Sequence, residues 1–239
     1  MSKIRTVLFD LDGTLLPMDQ KQFVHAYFHS LYAALEPFGF TKEAFQKAMW
    51  GSVGAAIQND GATTNEEAFW RAFQTFTGIE PKAVLPVIEG YYRREFQEVS
   101  KSCGYTPYAK QTVERLRKKG RAAVLATNPV FPRAATESRI RWAGLSPEDF
   151  LLYTTYESCH YCKPNLKYYR EILERLDLQP QECLMVGNDV EEDMIAEKLG
   201  MQVFLLTDCL INRSGADIAR YPHGGFRDLQ RFLDETVLA

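Results

Sequence analysis

The stretch VLFDLDGTLL at residues 7–16 sets two carboxylates, Asp10 and Asp12, at the point where an apolar run stops and the chain turns at Gly13. A buried carboxylate without a partner costs on the order of several kcal/mol, so a cation or a reaction must make this pair tolerable. Three further groups of the same kind recur along the chain. Thr127 and Asn128 follow the run AAVLA, Lys163 precedes Pro164 and Asn165, and Gly187-Asn188-Asp189 follows CLMV with Asp193 four residues beyond Asp189. A hydroxyl and an ammonium both hold phosphoryl oxygens, and clustered carboxylates offer hard oxygen ligands to Mg²⁺. Together these residue types suit phosphoryl transfer.

Such residues act together only if the fold brings them to one edge. Short apolar runs at 4–9, 122–126, 150–156, 183–186 and 203–206 lack the alternation of half-exposed strands. Helical patterns separate them: Ala109, Val113 and Leu116 closed by Gly120, a segment near 133–143, the stripe Tyr169, Ile172, Leu173 and Leu176 opened by Pro164, a segment near 191–199, and a last one near 226–237. This is the pattern of an α/β fold whose parallel strands are covered on both faces. Residues from about 18 to 103 read as helical throughout, with Val24, Phe28, Leu31, Leu35 and Phe69, Phe73, Phe76 at helical spacing, and form an insertion after the first strand. Ligands in open α/β sheets bind beyond the carboxyl ends of the strands, where the four polar groups fall.

Composition narrows the partners. With 239 residues, 46% hydrophobic and 25% charged, the chain is sized for one core carrying a smaller unit. A net charge of −3 argues against holding nucleic acid or an anionic membrane through bulk electrostatics, so a phosphate partner must be recognised locally. No run approaches the ~20 apolar residues of a membrane span and the first residues lack a signal-peptide core, which places the expected location in the cytoplasm. Five cysteines at irregular spacing suit reduced thiols. Oligomeric state has no signature.

The ordered set DLDGT at 10–14, Thr127, Lys163 and GNDVEED at 187–193 resembles the four motifs of the haloacid dehalogenase superfamily. The resemblance implies a Rossmann-like core of residues 1–16 and 106–239 with a helical cap over 17–105. It implies a Mg²⁺-dependent phosphatase acting on a small phosphate ester, with Asp10 as nucleophile forming an aspartyl-phosphate and Asp12 as general acid and base. Thr127, Asn128 and Lys163 would bind the phosphoryl group. Mg²⁺ would be held by Asp10, the backbone carbonyl of Asp12 and Asp189, with Asp193 in support. The family often has an acid directly after the glycine of its last motif, where this chain has Asn188, so the pair Asn188 and Glu192 competes with Asp189 and Asp193. Asp189 is favoured because a hard cation prefers a carboxylate to an amide. The dehalogenases of the superfamily lack the acid equivalent to Asp12. A phosphomutase and a non-catalytic binding protein on the same fold are the rival readings.

Several features have plainer readings. An EF-hand would place its glycine and glutamate at Leu15 and Lys21, which excludes it. His25 and His29 stand one helical turn apart without a third zinc ligand, and CHYC at 159–162 has no second cysteine pair, so packing or substrate contact and a thiol-lined loop are expected. Substrate preference should lie in the cap, where His25, Trp50 and Arg71 are candidates. Leu16-Pro17 and Cys103-Gly104 look like hinges.

Overall fold

The computed structural model describes residues 4–238. Its centre is a five-stranded parallel sheet in the order β2-β1-β3-β4-β5, made of β1 (Thr6–Phe9), β2 (Ala122–Leu125), β3 (Cys183–Gly187), β4 (Gln202–Leu206) and β5 (His223–Gly224). β1 and β3 are buried along their whole length, as expected for strands with both faces covered. The register sets the site. Phe9 pairs with Leu125 on one side and with Val186 on the other, so Asp10, Ala126 and Gly187 stand at one level at the carboxyl ends of β1, β2 and β3. The strand order reverses about β1, and the crevice opens there.

Between β1 and β2 the chain forms α1 (Gln20–Ala34), α2 (Lys42–Ile57), α3 (Asn65–Thr77) and α4 (Pro81–Arg93), then a 3-10 segment, Glu95–Ser102, and α5 (Pro107–Lys118). Local sequence stops and starts these helices. Asp19 accepts a hydrogen bond from Gln22 N at 2.9 Å, and Thr64 and Glu67 close a capping box at the start of α3. Met18 and Cys103 form an antiparallel bridge, and Gly104 N donates to Pro17 O at 2.7 Å, so the two connections lie side by side. An aromatic cluster ties the helices to the sheet side: Tyr27 lies 5.4 Å from Phe131, ring centroid to ring centroid. Asn65, fully buried, donates to Pro129 O and Tyr161 O and closes a second seam.

The rest comprises α6 (Arg133–Trp142), α7 (Leu166–Leu176) and α8 (Phe226–Thr236). Three expectations need correcting. The run at 150–156 is not a strand of the sheet: it makes one bridge, Tyr153 to Leu125, between the turn at Pro147–Asp149 and the loop to Lys163, and Leu151 points outward. α7 starts at Leu166 with Asn165 as its cap, accepting from Lys167 N at 3.0 Å, so Pro164 lies ahead of it. The segment near 191–199 is a turn followed by a 3-10 helix, Met194–Leu199; within the turn Asp189 accepts from the amides of Glu191 and Glu192, and Asp193 accepts from that of Asp189. No helix among the described residues is long and apolar enough to cross a membrane.

Candidate active site

Asp10 follows β1, and its backbone amide continues the ladder to Val186 O at 2.9 Å. The chain then folds back on itself: Gly13 N donates to Leu16 O at 2.8 Å. Gly13 has φ of +90°, and a Cβ there would stand 2.4 Å from Asn188 Nδ2, so both backbone conformation and space demand glycine. This turn lays Thr14 across the site. Its hydroxyl lies 2.9 Å from Asn188 Oδ1 and 3.3 Å from Asp10 Oδ2, which joins the ends of β1 and β3.

Lys163 arrives from the loop beyond residue 153 and is buried. Its ammonium donates to Asp10 Oδ1 at 2.9 Å and to Asp193 Oδ1 at 2.6 Å, one cation between two carboxylates. Burial alone would pull the lysine down, but Asp10 and Asp193 outweigh it and hold its pKa well above the usual lysine value. Burial pushes the Asp193 carboxyl up, and Lys163 opposes that shift. Thr127 is fixed through its carbonyl, which accepts from Thr154 Oγ1 at 2.6 Å and Tyr168 Oη at 2.9 Å. Its own side-chain hydroxyl has no protein partner among the described residues and is free for a ligand. Asn128 Oδ1 accepts from Lys163 N, and Asn128 Nδ2 donates to Glu192 Oε2 at 3.0 Å.

Asp12 has a partner that the sequence reading missed. Arg139, on α6, is completely buried and pairs through Nη1 with Asp12 Oδ2. The guanidinium is held by Ala135 O and Thr136 Oγ1, each at 3.3 Å, and lies 4.1 Å from the centre of the Phe131 ring. Burial raises the Asp12 pKa, with Arg139 acting against the rise. The other oxygen, Oδ1, is buried with no hydrogen-bond partner. The signal was present: Ala135, Thr136, Arg139, Ile140 and Ala143 share the buried face of α6, where an arginine demands a counter-charge.

The last motif divides its labour. Gly187 admits no Cβ, which would meet Asp193 Oδ2 at 2.1 Å. Asp193 Oδ2 accepts from Asp189 N, so Asp193 closes the loop while holding Lys163. Asp189 Oδ1 accepts from Glu191 N and Glu192 N at 2.9 and 3.0 Å, and Oδ2 faces Arg213 Nη1 at 2.7 Å. Asn188 instead meets the Thr14 hydroxyl through Oδ1, and its Nδ2 is anchored on Cys209 O at 2.7 Å. Asp10, Asp12, Thr127, Asn128, Asn188, Asp189, Glu192 and Asp193 thus line one small cleft of about 40 Å³, joined by Gln20 of α1.

Among the described residues no three His, Cys, Asp or Glu side chains converge on one metal position. A hard cation in this cleft therefore draws on other oxygens as well, and they are present. The Asp12 carbonyl accepts no hydrogen bond from the described residues, and it stands with the Asp10 carboxylate and the Asn188 carboxamide. Such an all-oxygen donor set fits Mg²⁺.

The model of the haloacid dehalogenase-like hydrolases matches residues 4–199. The chain belongs to the haloacid dehalogenase-like hydrolase family. Curated relatives include the pyrophosphatase PpaX of Bacillus cereus, 22% identical over 89% of this chain and 87% of that protein. They also include the ribulose-1,5-bisphosphate 5-phosphatase of Halopiger xanaduensis, 28% identical over 83% of both. Among solved structures, a 2-haloacid dehalogenase from Pseudomonas syringae pv. tomato superposes with a TM-score of 0.64 over 97% of this chain and 99% of that one, at 18% identity. The family's shared fold thus carries both phosphate and halide chemistry, and this hydrolase must be assigned by its site.

The other candidates are dispersed. His25 and Trp50 border a groove on the outer helices, and Arg71 is exposed on α3 outside that groove. Cys159 and Cys162 are free and buried. Cys162 Sγ lies 3.5 Å from Ala56 O and 3.3 Å from Asn65 Nδ2, which makes it part of the seam between the helices and the sheet side.

Proposed function

We propose that this hydrolase is a Mg²⁺-dependent phosphatase of small phosphate esters acting through an aspartyl-phosphate on Asp10. The observation that carries the reading is Asp12, a second carboxyl in the same cleft, half-buried and given a fixed cationic partner. Displacement of halide from carbon needs no proton for its leaving group; expulsion of an alkoxide from phosphorus does. Asp10 attacks phosphorus, the bond to the ester oxygen breaks, and Asp12 gives that oxygen its proton. Asp12 then takes a proton from water as the water attacks the phosphorus on Asp10, which restores the carboxylate and frees inorganic phosphate. Lys163 and the Thr127 hydroxyl bind the phosphoryl oxygens, and Asn128 fixes the backbone at Lys163.

When bound, Mg²⁺ supplies charge neutralisation and orientation of the phosphoryl group. Asp10, the Asp12 carbonyl and Asn188 would hold it. Asn188 replaces Asp189 in this assignment because the Thr14 hydroxyl joins the Asn188 carboxamide to Asp10, whereas Asp189 Oδ1 serves two backbone amides and Oδ2 faces Arg213. Residues 17–105 act as a cap that closes over the cleft on the paired connections at Pro17 and Gly104, excluding water. Turnover of p-nitrophenyl phosphate should appear with MgCl₂ and vanish with excess EDTA. Release of halide from a 2-haloacid in place of phosphate release would overturn the reading.

A further inference from the structure

A groove of about 520 Å³ runs between α1 and α2 and begins at Gln20, the residue that also lines the catalytic cleft. Helical spacing gives α1 two adjacent stripes along it. Gln20, Val24, Phe28 and Tyr32 recur every fourth residue, and so do Lys21, His25 and His29. The first stripe and Phe45 form a largely apolar floor, continued by Trp50, which is 55% exposed although its ring lies 5.0 Å from that of Phe28. The second stripe is basic, and Lys42 adds a further ammonium from the facing helix.

Basic residues on a helix surface are ordinarily balanced by acids one turn away. Here they are not. α1 has no Asp or Glu, no acid lines the groove, and neither Lys21, Lys42, His25 nor His29 has an ion-pair partner among the described residues. The whole chain is net negative, so this basic strip opposes the overall charge. An unsatisfied basic strip above an apolar floor, with Gln20 common to the groove and the phosphoryl cleft, matches a ligand with the opposite pattern.

We infer that the groove between α1 and α2 takes the leaving group of the substrate, and that this group carries a second anion, phosphoryl or carboxylate, on an apolar body. The scissile phosphate sits over Asp10, the apolar body lies on Val24, Phe28 and Trp50, and the second anion reaches the strip begun by Lys21. The strip begins beside Gln20 and rises about 12 Å from Lys21 to His29, so the spacer between the two anions decides which basic group the second one reaches. This rests on the phosphatase reading and names its substrate class.

The test compares three straight-chain series over short, medium and long methylene spacers: alkyl phosphates, α,ω-alkanediol bisphosphates and ω-phosphoryloxy alkanoates. The expected result is kcat/KM at least about tenfold above the alkyl phosphate for one of the dianionic series at the matching length, the effect of one charge-assisted contact. Whichever series gains identifies the second anion. The double variant Lys21→Ala/Lys42→Ala should erase most of that gain through KM, whereas Lys47→Ala, an exposed lysine of α2 outside the groove, should keep it. A wild-type enzyme that hydrolyses p-nitrophenyl phosphate but treats all three series alike at every length, or a double variant that retains the gain, overturns the inference. Absence of all phosphate-ester turnover would instead count against the phosphatase reading.

Discussion

The guanidinium of Arg139, completely buried in α6, is paired with the carboxylate of Asp12, whose second oxygen is buried and unpartnered. The pair fixes one carboxylate oxygen and leaves the other for the proton transfer proposed for Asp12. It also links the site to the helical insertion, because the Phe131 ring beneath the guanidinium packs on Phe23 and Tyr27 of α1.

Replacing Arg139 by Met would leave the half-buried Asp12 carboxylate without a counter-ion. The expected loss is about 2–3 kcal/mol of unfolding free energy near neutral pH, below that of a fully buried pair because Asp12 keeps some solvent contact. The sign of its pH dependence follows from the raised Asp12 pKa, which rises further without the arginine. A group that binds its proton more tightly when folded gains stability as pH falls, so the deficit should shrink as the pH is lowered from neutral. The double variant Arg139→Met/Asp12→Asn should recover much of the loss. Denaturant unfolding of the wild type, Arg139→Met, Asp12→Asn and the double variant at two pH values checks this, and an unrecovered double variant would mean that α6 packing, not charge, was lost.

Asn188 and Asp189 are neighbours with different employment. Asn188→Ala should weaken Mg²⁺ binding by about tenfold or more, read as a smaller rise of Tm on titration with MgCl₂. Asp189→Ala should lower Tm with and without the ion, because it removes the acceptor for two backbone amides. The reverse pattern would return the ligand role to Asp189.

The cysteine pair before Lys163 should be chemically quiet. Burial pushes the Cys159 thiol up to about 11, and Cys162 higher still. Only the thiolate reacts readily, so in the folded protein near pH 8 a thiol reagent should modify the partly exposed Cys209 and leave Cys159 and Cys162 untouched until unfolding. Peptide mapping after timed alkylation reads the order directly.

Much of the site was legible because parallel strands write their ends plainly. The runs that finish before Asp10, Thr127 and Asn188 are apolar throughout, and pairing of Phe9 with Leu125 and Val186 then forces the following residues together. What escaped depends on contacts far apart in the chain. Arg139 lies 127 positions from Asp12, and only the fold supplies its counter-charge. β5 is two residues long with no apolar run, so its pairing with β4 has no local signature. The run at 150–156 has strand-like composition, yet it finds room for one bridge beside β2. At Asp189 the amides of Glu191 and Glu192 engage one carboxylate oxygen, a contact that residue type alone does not announce.

The central claim is covalent catalysis at Asp10. The most direct measurement mixes enzyme, MgCl₂ and an aryl phosphate, quenches with acid, reduces with borohydride and maps the peptide containing residues 7–16 by mass spectrometry. An acyl phosphate at Asp10 is reduced to homoserine at that position alone, and Asp10→Asn should show neither the conversion nor turnover. Wild-type turnover without any conversion at position 10, or an Asp10→Asn variant that keeps the wild-type rate, would contradict the account.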